Sequence, residues 1–134
     1  DVYVACLKKH GRAPEDGVVI AGSWAIVSDD PEREARAVGP HALYQGNQYI
    51  EWGAFGPPDT TPRFPDAETA LAQGLYQLWD ADQAVTEITK LLRECPQIRD
   101  LHFWARLPGE TVQAGHRRVE YMAKHVLPKV RAAL

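Results

Sequence analysis

Two side chains suited to ligand binding alternate along a short apolar run near the end of the chain. The run is Asp-Leu-His-Phe-Trp-Ala-Arg, from Asp100 to Arg106. Because successive side chains of a strand point to opposite faces, His102, Trp104 and Arg106 would share one face. Trp104 offers a flat surface for stacking, and Arg106 can donate hydrogen bonds to an anionic or carbonyl oxygen. In the alternative interpretation, Trp104 is core packing and Arg106 forms a surface ion pair.

Two helices flank this predicted strand. Asp80 can cap a helix whose apolar residues fall on one face. After the strand, Leu107-Pro108-Gly109 breaks the chain, and a second amphipathic helix ends in Val-Leu-Pro-Lys-Val, Val126 to Val130. The apolar face of the strand should meet these helices. The face that carries Trp104 should then point away from them, into the space that a larger, closed sheet would enclose. That apolar face comprises Leu101, Phe103, Ala105 and Leu107.

A second strand is predicted from Val18 to Val27. The run is nearly unbroken apolar sequence, Val-Val-Ile-Ala-Gly-Ser-Trp-Ala-Ile-Val, which is typical of a strand buried on both faces of a parallel sheet. Its smaller alternate residues could line an interior that holds a cofactor, with Trp24 under the helices. The opposite orientation stays open.

Helices and loops fill the rest of the chain. Ser28-Asp29-Asp30 and Pro31 predict a helix that stops near Gly39-Pro40, where a second helix begins and runs to about Trp52. A helix from Asp1 to His10 ends at Gly11, and a proline-rich loop runs from Gly56 to Pro65. Asp66 can cap a short helix to Gly74, and the segment from Tyr76 to Trp79 is extended or a turn.

This order of elements predicts an α/β fold in which two parallel strands are joined by a right-handed helical crossover. A two-stranded parallel sheet is not a stable domain by itself. Other strands are therefore expected from a missing part of the chain or from a partner chain.

Composition excludes several functional classes. The 134 residues suffice for one domain, and a net charge of −3 does not favour nucleic-acid binding. No apolar run is long enough for a membrane helix, and no signal peptide is recognisable, so a cytoplasmic protein with reduced cysteines is expected. The five histidines have no metal-ligand spacing, and Walker and dinucleotide motifs are missing. Arg117 and Arg118 are predicted to lie on a solvated helix face with Glu120 and Lys124.

Several short motifs, in order, resemble the C-terminal part of the luciferase-like flavin-dependent monooxygenases. Gly-Arg-Ala-Pro (Gly11 to Pro14) resembles the segment before the family's seventh strand. Val27 to Ala35, Val-Ser-Asp-Asp-Pro-Glu-Arg-Glu-Ala, resembles the end of that strand and the start of its helix. Leu107-Pro108-Gly109 and Val126-Leu127-Pro128 complete the resemblance. The family usually has Gly-Thr-Pro-Glu-Glu-Val where Leu78 to Ala84 stands here, so its characteristic glycine is absent.

The resemblance implies that residues 1–134 are the C-terminal segment of a single (β/α)8 TIM barrel whose N-terminal part is absent. It implies an oxidoreductase that uses a reduced flavin, FMN or alternatively a deazaflavin, and molecular oxygen to insert one oxygen atom into a small organic substrate. The family's phosphate site and most of its catalytic residues would lie upstream, so the catalytic residues are unknown and the isolated segment should be inactive. Trp104 and Arg106 would be cofactor-binding residues at the carboxyl end of the last strand.

A hypothesis from another class is a truncated, non-catalytic relative that binds flavin weakly or acts as an interaction subunit. The expected partners are the small-molecule substrate, oxygen and the remaining barrel segment or a partner chain, with homo-oligomerisation possible. No nucleic acid, membrane or metal partner is expected. The mass of the native gene product would separate the two hypotheses.

Overall fold

The structure is a computed structural model that describes residues 2–134. Six α-helices, four strands, one 3₁₀ turn and one π-helical turn are found in this part of the chain. In order they are α1 (Val2–Lys9), a 3₁₀ turn (Pro14–Asp16), β1 (Val19–Ser23), β2 (Ala25–Val27), α2 (Pro31–Glu51), α3 (Ala67–Ala72), β3 (Gln77–Trp79), α4 (Ala81–Glu94), β4 (Ile98–Phe103), α5 (Val112–Tyr121), a π-helical turn (Met122–Val126) and α6 (Leu127–Ala133).

The strands form two small parallel sheets that share one run of chain. β1 pairs with β4, with Ser23 opposite Phe103, and β2 pairs with β3, with Val27 opposite Trp79. This confirms the prediction that the Val18–Val27 run and the strand from Asp100 are parallel, and the structure shows that they are also adjacent. The segment before Trp79, which the sequence left as extended or a turn, is a strand.

The predicted long strand is interrupted at Trp24. Its ring packs against Tyr49 and Tyr76, with ring centroids 5.1 and 5.2 Å away. The interruption separates the half of the run that pairs with β4 from the half that pairs with β3. The break therefore marks a change of partner strand, which the apolar pattern of residues 18–27 could not reveal.

Helices cover opposite faces of β2. Ile26 belongs to a core with α2 and α3, whereas its neighbour Val27 belongs to a core with α4 and the C-terminal helices. Since consecutive strand residues point to opposite faces, the sheet is covered on both sides at this point. The first core includes Val38, Ala42, Ala70, Leu75, Tyr76 and Leu107, and the second includes Ala84, Ile88, Val126 and Val130.

At β1 one face is open. Ile20 is 61% exposed, and Gly22 on the same face is also exposed, while Val19 and Ala21 are partly buried. Neither predicted orientation of the strand therefore holds along the whole run. The Ile20 face is open at β1, and both faces are covered at β2.

The elements form an α/β arrangement with two small parallel sheets. β1 pairs with β4 and β2 pairs with β3 in two separate two-stranded sheets, whereas a (β/α)8 barrel joins eight parallel strands in one closed sheet. The coarse prediction of parallel strands under helices is confirmed. The barrel itself is not seen in residues 2–134.

Helix α2 differs from its prediction. The sequence predicts a break at Gly39-Pro40, but one helix of 21 residues runs from Pro31 to Glu51 with Pro40 inside it. Val38 and Ala42, on either side of the proline, are fully buried in the first core. The free energy gained by burying the residues on both sides of Pro40 exceeds the cost of the backbone hydrogen bond that proline cannot make. Tertiary contacts therefore override the tendency of proline to end a helix.

Local signals at the other helix ends are confirmed. The side chains of Asp30, Asp66 and Asp80 each accept a hydrogen bond from a backbone N–H of the first turn, at 2.7–2.9 Å. Gly11 follows α1 with φ 69°, a left-handed value that favours glycine. Cys6 and Cys95 are free thiols. Within residues 2–134, every helix is too short or too polar to cross a bilayer.

Candidate functional site

The carboxyl ends of β2 and β4 lie at the same edge of the structure, next to α5. Parallel strands bring their carboxyl ends together, and in α/β proteins ligands bind at this edge. Ser28 follows β2 and Trp104 follows β4 directly. The loop from Trp104 to Thr111 then leads into α5, whose side chains face both strand ends. This edge contains a buried ion cluster and two cavities.

The ion cluster is centred on Arg118 of α5. Its Nη1 and Nη2 donate to the two carboxylate oxygens of Glu110 at 2.7 and 2.5 Å, and its Nε donates to Oε1 of Glu34 at 2.7 Å. Nη1 also donates to the carbonyl oxygen of Ala105 at 3.0 Å. The side chains of Arg118 and Glu110 are only 6% and 5% exposed, so this is a buried cluster and not a surface pair. It joins α2, α5 and the loop after β4.

Charge and hydrogen bonding determine the protonation of this cluster. Burial would raise the pKa of Glu110, but hydrogen bonds from Arg118 and from the Leu107 N–H, together with the charge of Arg118, hold that pKa below its usual value. Burial likewise disfavours a charged Arg118, yet the hydrogen bonds to Glu110 and Glu34 raise the pKa of the guanidinium. Both groups therefore stay ionised at neutral pH.

The loop after β4 is shaped by the same carboxylate. Glu110 Oε2 accepts the Leu107 N–H at 2.7 Å, and Leu107 itself is buried in the first core. Gly109 has φ 88°, and a Cβ at this position would lie 2.9 Å from Nδ1 of His41. The Leu-Pro-Gly break predicted from the sequence is thus a turn held between α2 and α5.

An apolar cavity of about 260 Å³ lies between the sheet and the C-terminal helices. Trp104 lines it, and its side chain is 42% exposed at the edge of the sheet. Other lining residues are Ala25, Val27, Leu101, Phe103, Ala105, Arg118, Val119, Met122, Ala123 and Leu127. Nearly all of these are apolar, so the cavity suits an apolar group.

A π-helical turn forms part of the cavity wall. Met122 and Ala123 lie in this turn, and Leu127 follows it. Pro128 has no N–H, and its ring would clash with the carbonyl of Lys124 in a regular α-helix, so a wider turn at this point relieves the contact. Single π turns inside helices occur frequently at functional sites.

A second cavity, of about 230 Å³, is polar and adjoins the first. Val27 and Arg118 line both cavities. The second is otherwise lined by Ser28, Asp29, Arg33, Glu34, Ala114, Arg117 and Tyr121. Ser28 is 7% exposed, and its Oγ has no hydrogen-bond partner among the residues that the structure describes.

The two predicted ligand-binding residues lie beyond their strand. β4 ends at Phe103, whereas the predicted strand included Trp104 and Arg106. Trp104 lines the apolar cavity. Arg106 is exposed, lines neither cavity and has no ion-pair partner within residues 2–134; its Cβ lies close to Gly115 of α5. Trp104 thus lines a cavity on the helix side of the sheet, together with Phe103, and not on the opposite face that the alternation predicted, because β4 ends before it. Arg106 lines neither cavity.

The prediction that Arg118 lies on a solvated face was wrong. The helix spacing contained a signal that would have placed it inward, because Gly115, Arg118, Met122 and Val126 recur at intervals of three and four residues. Gly115, Arg118 and Val126 are buried, and Met122 is partly buried. A charged residue in such a stripe requires buried partners, and Glu34 and Glu110 are too distant in sequence to be recognised as those partners.

No group of three or more histidine, cysteine, aspartate or glutamate side chains could hold a metal ion in the part of the chain described. Comparison with protein-family models, with curated protein sequences and with solved structures gave no match to this chain. The assignment of a function therefore depends on the site itself.

Proposed function

We propose that this chain is part of a flavin-dependent oxidoreductase and that the apolar cavity receives the flavin ring or the organic substrate. The observation that carries the proposal is an apolar cavity at the carboxyl ends of parallel strands, with Trp104 at its rim. The motifs that resemble luciferase-like monooxygenases supply the reaction class. A luciferase-like barrel and a cytoplasmic location are the more specific parts of this proposal.

The residues present fit one part of such a ligand. The cavity volume of about 260 Å³ is below the range of ~300–1,000 Å³ usual for complete ligand sites. It therefore suits a ring or an aliphatic group and not an entire flavin nucleotide. A bound reduced flavin would supply the electrons for oxygen activation. Trp104 would stack on a planar group, and the apolar wall would exclude water.

The path of the chain supports a ligand site at this edge. The β1–β2 run pairs with two parallel strands, with β4 along its first half and with β3 along its second half. In α/β proteins, ligands bind outside the carboxyl ends of parallel strands. Val27, at the carboxyl end of β2, lines both cavities, and Phe103, at the carboxyl end of β4, lines the apolar one.

The test is titration of FMN, and separately of a deazaflavin, into the protein and two tryptophan variants. Trp104→Ala should weaken binding roughly two- to tenfold, because a stacked aromatic contact contributes ~0.5–1.5 kcal/mol beyond area burial. The control is Trp52→Ala, since Trp52 is 71% exposed and lines neither cavity. Equal loss of affinity in both variants, or no binding by the parent chain, would contradict the proposal.

One observation favours the non-catalytic alternative. The Ile20 face of the β1–β4 sheet is open, although parallel sheets are usually covered on both faces. An interaction subunit would cover this face with a partner chain. Sedimentation of the native gene product, together with its mass, tests this: a stable complex that Ile20→Lys dissociates favours the alternative. Steady reduced-flavin-dependent oxygenation by the 134-residue chain alone would contradict the expectation that it is only part of the enzyme.

A further inference from the structure

One arginine that lines the polar cavity forms no ion pair with any described residue. Arg33 pairs with Asp29 at 2.7 Å, and Arg118 is paired with Glu34 and Glu110. Both carboxylates that line this cavity, Asp29 and Glu34, are therefore engaged. Arg117 also lines it, and Arg117 has no ion-pair partner within residues 2–134. Arg117 is therefore the one arginine of this wall whose guanidinium has no carboxylate partner among the described residues.

A buried hydroxyl lies in the same wall. Ser28 is nine-tenths buried, and its Oγ makes no hydrogen bond with any described residue. A buried hydroxyl without a partner costs free energy, and native proteins keep few of them. Ser28 lies two residues before Asp30, the residue that caps α2, and so near the end of the helix where its dipole favours negative charge. A ligand oxygen would give this hydroxyl a partner.

The two cavities are adjacent, which restricts the kind of ligand. Val27 and Arg118 line both of them, one cavity being apolar and the other polar. A ligand that fills both would have an apolar body and an anionic end. The donors of Arg118 are already hydrogen-bonded to Glu34, Glu110 and the Ala105 carbonyl, so Arg117 is the guanidinium left to bind the anion.

We propose that the polar cavity binds the anionic group, a carboxylate or a phosphate, of an amphipathic ligand whose apolar part occupies the neighbouring cavity. The inference rests on the proposed function only in assigning that apolar part to the flavin or its substrate. Arg117 supplies the charge, and Ser28 donates a hydrogen bond to an anionic oxygen. The anion has two possible sources, the phosphate of the flavin or the acidic group of the substrate.

The experiment uses two matched pairs of probes on the 134-residue chain. Octanoate is compared with octanol, and FMN is compared with riboflavin, by calorimetric titration at fixed salt. The variants are Arg117→Gln and Ser28→Ala. The control is Arg131→Gln, because Arg131 is an exposed arginine of α6 that lines neither cavity.

Arg117→Gln should lower the affinity for the anionic member of a pair roughly ten- to a hundredfold and leave the neutral member unchanged. The Arg131 variant should match the parent chain. Ser28→Ala should also weaken anion binding, while its melting temperature stays equal to or above that of the parent, because the hydroxyl has no partner without ligand. That combination distinguishes a binding role from a structural one.

The pair that responds identifies the source of the anion. If Arg117→Gln lowers the affinity for FMN, the anion is the flavin phosphate. If it lowers the affinity for octanoate, the anion is the acidic group of the substrate. If octanoate binds through Arg117 and neither flavin binds, the anion site holds and the flavin proposal fails. Equal affinity for charged and neutral probes, equal loss in the Arg117 and Arg131 variants, or no binding by any probe would overturn the anion site.

Discussion

Arg118 and Glu110 form a bidentate ion pair that is almost completely shielded from water. Their two hydrogen bonds are 2.7 and 2.5 Å long, and Glu34 approaches the same guanidinium from α2. Glu110 precedes Arg118 by eight positions and lies in the loop after β4, so the pair holds this loop against α5. The position of Trp104 at the start of this loop therefore depends on Arg118.

Arg118→Ala should lower the free energy of unfolding by about 3–5 kcal/mol. The substitution leaves the Glu34 and Glu110 carboxylates buried without a counter-charge, and this accounts for most of the cost. Urea unfolding measures the change. The matched control is Arg33→Ala, whose ion pair with Asp29 is exposed and should contribute at most about 1 kcal/mol. Similar losses in the two variants would argue against a buried cluster.

Stability should fall in acid because the pKa of Glu110 is lowered. A carboxylate whose folded pKa lies below its unfolded value of 4.5 contributes stability that is fully present above pH 4.5. That contribution is lost as the pH falls through the lowered folded pKa, where the proton binds in both states. Urea unfolding between about pH 3 and about pH 7 should show this slope, and Glu110→Gln should reduce it. Glu120→Gln is the control, since Glu120 is exposed; an equal effect there would contradict the assignment.

Phe103→Ala and Arg106→Ala should have different effects. Phe103 packs against the second core and is partly buried, so its loss should cost about 3 kcal/mol of stability, the lower end for a core phenylalanine. Arg106 is exposed and lines neither cavity, so its loss should leave both the melting temperature and the affinity for flavin unchanged. Thermal melting and flavin titration are both measured for each variant. The reverse result would mean that the two faces of β4 had been exchanged.

Gly46→Ala should destabilise the fold, although alanine is the better helix former. A Cβ at Gly46 would lie 2.6 Å from Cδ2 of Leu75 and 3.2 Å from Cε2 of Phe64, and the site is buried in α2. Overpacking costs ~1–3 kcal/mol, and the gain in helix propensity returns about 1 kcal/mol, so a net loss of up to about 2 kcal/mol is expected.

Gly22→Ala is the matched control for Gly46→Ala. A Cβ at Gly22 would have no neighbouring atom within 4 Å, and its stability should change by no more than about 0.5 kcal/mol. Chemical denaturation compares the two variants with the parent chain. A neutral Gly46→Ala would show that Leu75 and Phe64 can move aside.

The sequence by itself determined the features whose physical cause is local. Asp30, Asp66 and Asp80 cap their helices because each side chain reaches a backbone N–H three residues away. The alternation in β4 correctly placed Phe103 towards the helices, because side-chain direction in a strand depends only on position. The parallel pairing followed from the length of the crossover between the strands.

Only the tertiary structure decided the features that depend on distant residues. The interruption at Trp24 depends on which strand pairs with each half of the run, and the continuity of α2 through Pro40 depends on packing around Val38 and Ala42. The burial of Arg118 depends on Glu34, 84 residues earlier in the chain. Both cavities likewise form where α5 meets the strand ends. Local residue patterns predict such contacts poorly, because the free energy of these contacts is gained only when separate elements pack together.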